Sequence, residues 1–145
     1  MSLREAARRS NPDRVEKRIF QAVVVLCCVV PIAAGGYGIW RGLPMLGIAG
    51  AGAGADSHFR YLSGLLLGIG LGFLSTVPRI EVRSARFRLL AGIVVIGGLG
   101  RLVSVAMDGG ADAATLFALA MELLVTPLLA CGQARLARIA GAVRI

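Results

Sequence analysis

One histidine, three cysteines and eight acidic residues are most of what this 145-residue chain offers to site chemistry. The single imidazole, His58, rules out a histidine cage for zinc and bis-histidine ligation of haem. Cys27 and Cys28 are neighbours inside the first apolar run and Cys131 lies near the end of the last, with no CxxC pair. Packed, reduced thiols are therefore expected. Gly50, Gly52 and Gly54 alternate with alanine, but the stretch lacks the Lys-Ser/Thr and the strand-to-helix context of a phosphate cradle. With no nucleophile triad and no paired catalytic carboxylates, no catalytic residue, no metal and no cofactor is expected.

What is present is apolar and basic. Hydrophobic residues make up 57% of the chain, and mean hydropathy is +0.77, against about 45–50% apolar content in soluble domains. The formal net charge is +8. Nucleic acid is not the expected partner, because the basic residues flank hydrophobic runs and build no aromatic-interleaved or motif-bearing face. Thirteen of the sixteen basic residues fall in three segments. Arg4, Arg8, Arg9, Arg14, Lys17 and Arg18 precede the first apolar run. Arg79, Arg83, Arg86 and Arg88 lie mid-chain, and Arg135, Arg138 and Arg144 close the tail. That is the positive-inside pattern of a chain whose ends and central loop share the cytoplasmic side.

The expected fold is all-α: a polytopic membrane four-helix bundle, N-in and C-in, in the inner membrane. Residues 1–18 form a basic cytoplasmic N-terminus, 19–133 the transmembrane domain and 134–145 a basic cytoplasmic tail. The spans are 19–38, 61–77, 89–106 and 113–132, each near the ~17–25 residues a bilayer requires. A basic leader before an apolar run also resembles a signal peptide, but the run of about 20 residues exceeds the ~7–15 of such segments, so an uncleaved first helix is expected. The basic loops should meet anionic lipid headgroups, making membrane lipids the expected partners. Residues 43–55 are apolar but too short to span, and Trp40 anchors this outer loop at headgroup level. Residues 107–112 make a tight polar turn.

Gly64, Gly68 and Gly72 in the second span form a GxxxGxxxG stripe on one face, where another backbone can approach closely. Packing against the third span, with Gly92, Gly97, Gly98 and Gly100, is one use of it; a homo- or hetero-oligomer face is the other. Pro31 kinks the first helix, and Pro127 kinks the fourth next to a membrane acid.

Three ionisable residues remain inside or at the mouth of the spans: Arg60, Arg101 and Glu122. Each charge costs about 2.5–3.5 kcal/mol at the bilayer centre on insertion scales. At about 1.5 Å per residue, Arg101 lies roughly 8 Å and Glu122 roughly 14 Å from the outer ends of their spans, near enough to meet. Arg101, Ser104 and Asp108 share one helical face; Thr115, Glu122, Thr126 and Gln133 share another. Asp56, Arg60 and Ser63 align if the second helix extends back through His58. Three uses of this polar set stay open. It can staple helices as a buried ion pair. It can bind a lipid- or quinone-like amphipathic ligand through Arg60, Arg101, Ser104 and Glu122, with Asp56 and His58 at the rim. It can relay protons through Glu122. An interfacial, hydrogen-bonded histidine is the ordinary reading of His58.

The segments Asp56-Ser57-His58-Phe59-Arg60-Tyr61-Leu62-Ser63-Gly64, Pro78-Arg79-Ile80-Glu81, Gly97-Gly98-Leu99-Gly100-Arg101-Leu102-Val103-Ser104 and Glu122-Leu123 are similar to those of small bacterial four-helix membrane proteins. That family is defined only as a domain of unknown function, akin to the DoxX/DoxD-like bundles. The resemblance covers residues 20–134, implies a four-helix membrane fold in bacteria, and carries no established activity. In such proteins a proline often follows the glycine of the turn between the third and fourth helices; Gly109-Gly110-Ala111 lacks it. Small multidrug exporters are also short, four-helical and dependent on one membrane glutamate, but theirs lies in the first helix. The leading functional reading is a non-enzymatic membrane protein that binds a lipophilic small molecule. The alternatives are an accessory subunit of a larger complex and a proton-coupled transporter or membrane enzyme.

Overall fold

The computed structural model describes residues 3–48, 50 and 52–142, with side chains except those of 3–13, 108 and 142. The expectations for Arg4, Arg8, Arg9, Asp108 and Arg144 therefore lie outside the described side chains. Every regular element among the described residues is helical. Four helical stretches are long and apolar enough to cross a membrane: Arg14–Arg41, Ala53–Arg79, Ser84–Met107 and Ala113–Gly141. Valine and isoleucine are abundant in these runs, yet lipid leaves helix as the only single-segment way to satisfy every backbone N–H and C=O. The chain divides into two compact units, Met1–Pro78 and Arg79–Ile145.

The first unit is an antiparallel hairpin of α1 (Leu3–Arg41) and α2 (Ala53–Leu74). Helix α1 is continuous through the basic N-terminal segment and about 58 Å long at 1.5 Å per residue. Glycines let the two backbones close. A Cβ at Gly35 would sit 2.6 Å from Leu67 N and 2.7 Å from Ser63 O, and one at Gly70 would sit 2.8 Å from Ile32 Cγ1. Gly38 likewise leaves room for the Ser63 hydroxyl. Close approach thus falls on Gly35, Gly38 and Gly70 and not on the GxxxG stripe: a Cβ at Gly68 would meet nothing within 4 Å, and one at Gly64 only Ile39 Cδ1. At the far end Gln21 Nε2 donates to Val77 O at 2.6 Å. Helix α2 stops at Leu74, four residues before Pro78. The Ser75 and Thr76 hydroxyls turn back onto Gly72 O and Phe73 O at 2.6 and 2.7 Å, competing with the helix ladder.

In the second unit α3 (Ser84–Asp108) runs antiparallel to a segmented helix: α4 (Ala113–Ala120), a π turn (Met121–Val125) and α5 (Thr126–Ala142). The turn between them occupies residues 109–112, α3 keeping Met107 and Asp108, which the sequence pattern assigns to the turn. Gly109 adopts φ 73° and its N–H returns to Val105 O. The Asp112 carboxylate then caps α4 by accepting from Thr115 N at 2.7 Å. The π turn was not expected. Pro127 has no N–H to give to the preceding turn, and the Thr126 hydroxyl donates five residues back, to Met121 O at 2.8 Å. Such an insertion turns everything after it by about 100° relative to an unbroken α-helix. Thr115, Glu122, Thr126 and Gln133 therefore do not form one continuous polar face.

Candidate functional site

Arg101 and Glu122 find each other, as two ions in apolar helices must. Arg101 Nε and Nη2 donate to Glu122 Oε2 and Oε1, both at 3.1 Å, a two-point pairing. Sequence position explains how α3 reaches the acid. Gly98, one turn before Arg101, is buried against the π turn, and a Cβ there would lie 2.8 Å from both Glu122 Cβ and Leu123 Cδ2. Arg101 is seven residues from the α3 C-terminus and Glu122 nine from the start of α4, about 10 and 14 Å of helix respectively. The pair is not sealed: side-chain exposure is 42% for Arg101 and 19% for Glu122. Its contacts are also longer than the ~2.7–2.9 Å of a tight charge-assisted bond. Ser104, one turn beyond Arg101, is exposed as well. Pro127 denies a helix donor to a carbonyl in this same π turn, and π turns recur at functional sites. At the turn above, hydrogen bonding from the Thr115 side chain and backbone holds the Asp112 carboxyl below the usual range, with a smaller contribution from the Arg101 charge.

The other expected residues serve a different construction, in the first unit. Helix α2 does extend back through His58, so Asp56 and Arg60 stand one turn apart. Asp56 Oδ2 accepts from Arg60 Nε at 2.7 Å, and Oδ1 accepts from Leu43 N at 2.8 Å. Arg60 Nη1 donates to Trp40 O at 3.0 Å and to Ile39 O. These are among the last carbonyls of α1, which have no partners inside their own helix. Arg60 therefore closes the end of α1, and Asp56 ties the following loop to it. Gly42, at φ 65°, is required twice over, since a side chain there would overlap both Asp56 and Arg60. His58 is exposed, with its ring centroid 6.4 Å from that of Tyr61; Trp40, also exposed, packs edge-on to Tyr37 at 5.9 Å. Aromatic rings at a span end are the usual marker of the membrane–water interface.

The expected set thus resolves into two pairs, Arg101–Glu122 and Asp56–Arg60, each within its own unit. The family model described as Domain of unknown function (DUF4345) matches residues 19–133. The chain belongs to this family. No curated protein and no solved structure matches it. The family segment contains both ion pairs and ends on a residue whose role the sequence did not reveal. Gln133 is wholly buried, and its Nε2 donates to Ile80 O and Ser84 Oγ, both at 2.8 Å. It clamps the loop before α3 onto α5. A lone amide at the end of an apolar span, near a proline-bounded loop, was the available signal; Gln21 and Val77 repeat it in the first unit. This DUF4345 chain is a small multi-pass membrane protein whose family carries no assigned activity.

Proposed function

We propose that Arg101 and Glu122 form a receiving site for the polar head of an amphipathic, lipid- or quinone-like ligand within the bilayer. The observation that carries this reading is a bidentate ion pair at membrane depth whose arginine stays 42% exposed. A pair serving only as a staple gains by being closed off, because each charge left facing lipid costs free energy. An incompletely covered guanidinium instead offers donors to a carbonyl or anionic oxygen arriving laterally, while Glu122 holds it in place and accepts from a ligand hydroxyl. Ser104, on the same face of α3, extends the polar strip. The distribution of basic residues supports placement in a bacterial inner membrane with both termini cytoplasmic.

The test is native mass spectrometry of the protein released from mild detergent, wild type against Arg101→Ala. A bound lipophilic mass present in the wild type and lost in the variant is expected. An unliganded mass in both sinks the reading.

A second reading is favoured by the open glycines. At Gly68, and in α3 at Gly92, Gly97 and Gly100, an added Cβ would meet nothing within 4 Å. In this reading the stripe begun by Gly64 and Gly68 and continued by Gly72 receives a helix of another copy or of a partner subunit. Gly68→Ile should then abolish a stoichiometric complex in mild detergent; a monodisperse monomeric wild type rejects the reading.

A further inference from the structure

We infer that the basic end of the second unit, the loop before α3 and the first turns of α3 together with the last turns of α5, is a docking site for the headgroup of an anionic glycerophospholipid. Six arginines belong to these two stretches, Arg79, Arg83, Arg86, Arg88, Arg135 and Arg138, against a single carboxylate, Glu81. In the sequence they lie about fifty residues apart. The fold joins them through Gln133, which is 0% exposed and holds Ile80 O and Ser84 Oγ at 2.8 Å. Ile80 and Phe87 are also completely buried, so the loop is anchored from below by two apolar side chains. Arg79 and Arg83 flank this anchored point on one side and Arg135 and Arg138 follow it on the other. Arg83 is half-buried and the other five are exposed.

Position selects the partner. The apolar run of α3 begins at Leu89 and that of α5 ends at Gly132. The arginines therefore stand where hydrocarbon gives way to phosphate, a depth that a soluble acidic protein or nucleic acid does not occupy. Guanidinium matches phosphate oxygens with paired donors, and a loop already fixed by Gln133 loses little freedom when it binds. Basic pockets between membrane helices at this level bind anionic headgroups. The site lies at the end of the unit opposite the Arg101–Glu122 pair and does not depend on it.

The test uses the full chain in mild detergent, supplied with an equimolar mixture of phosphatidylglycerol and phosphatidylcholine, with bound lipid read by native mass spectrometry. Both lipids carry a phosphodiester; they differ in net charge and in a glycerol against a choline group, and the salt dependence isolates the charge. The wild type should retain phosphatidylglycerol preferentially, and the preference should fall as salt is raised. At about 1 kcal/mol per arginine, each removal lowers retention about fivefold. The triple variant Arg79→Gln/Arg83→Gln/Arg138→Gln should therefore lose on the order of a hundredfold, while the corresponding triple lysine variant keeps most of the preference. Arg138→Gln alone, an exposed change on α5, should give the fivefold effect should the triple variant not fold. Arg41→Gln, which removes an exposed arginine of the first unit, should leave the preference unchanged, which ties the effect to this basic end and not to overall charge. Equal retention of the two lipids by the wild type overturns the inference, as does a folded triple variant with undiminished preference. Displacement of the bound lipid by millimolar inorganic phosphate would make the ligand a free phosphate and overturn it too.

Discussion

Breaking the Arg101–Glu122 pair from either side should give unequal costs, and the inequality follows from geometry. Arg101→Met leaves Glu122 charged, 19% exposed and about 14 Å of helix from the outer turn, on a short side chain that cannot reach headgroup water. The insertion scale puts a stranded charge at about 2.5–3.5 kcal/mol at the bilayer centre, so roughly 2–3 kcal/mol of stability should be lost. Glu122→Gln leaves Arg101, which is shallower, 42% exposed and long enough to snorkel outward. Its cost should be about 1 kcal/mol, nearer that of an exposed pair. Removing both charges, as Arg101→Met/Glu122→Leu, should return stability to the wild-type level or above it, since apolar replacement of an ion pair is often neutral or better by about 1–4 kcal/mol. Reversible unfolding in mixed micelles reads the wild type and these three variants, and native mass spectrometry reads the ligand alongside. A stable double variant that has lost its bound lipophile is the expected result. A double variant as damaged as Arg101→Met, or a Glu122→Gln costlier than Arg101→Met, would refute the reasoning and make the pair a structural staple.

Two further changes test the packing. Gly35→Ala places a Cβ 2.6 Å from Leu67 N, a backbone atom that cannot step aside. It should cost about 1–3 kcal/mol or more through overpacking, whereas Gly36→Ala, with nothing within 4 Å, should be neutral or mildly stabilising in the same unfolding assay. The Asp112 cap should appear as a pH dependence. Its carboxyl is held below the ordinary value of about 3.9, first by hydrogen bonding from Thr115. Its stabilising contribution is therefore complete above that value and is lost as pH falls through the depressed folded value. Asp112→Asn, which keeps a capping oxygen but cannot titrate, should flatten this acid limb of a Tm-against-pH curve; an unchanged limb would place the titration elsewhere.

What was legible in the sequence was whatever the bilayer penalises. The blocks of arginine delimit four apolar runs, and each run is a helix because lipid admits little else. Arg101 and Glu122 could be paired in advance for the same reason: two opposite charges in adjoining apolar helices have no better partner than each other. Arg60 also sits at a span mouth, and the partners it holds are near ones. Asp56 lies one turn before it in sequence, and the orphan carbonyls of Ile39 and Trp40 lie across the loop. A local acid and a helix end satisfy an arginine more cheaply than a partner deeper in the membrane. Glycine spacing was weaker still as a guide. It tells which residues share a face but not what opposes that face, and the opposition that matters, Gly35 against Leu67, joins residues about thirty apart.

The π turn marks the point where local signals stop adding up. Pro127 announces a broken ladder, but whether the helix answers with a kink or with an inserted residue depends on what faces it across the unit. Here Gly98 brings α3 close enough to touch both Glu122 Cβ and the Leu123 side chain. Thr126 supplies a hydroxyl that bonds five residues back and stabilises the wider turn. The same insertion breaks the polar face that the sequence predicts. It leaves Glu122 aimed at Arg101 and frees Gln133 to turn onto the loop before α3. Glu122, inside the π turn, thus pairs with Arg101, while Gln133, beyond it, holds the loop before α3.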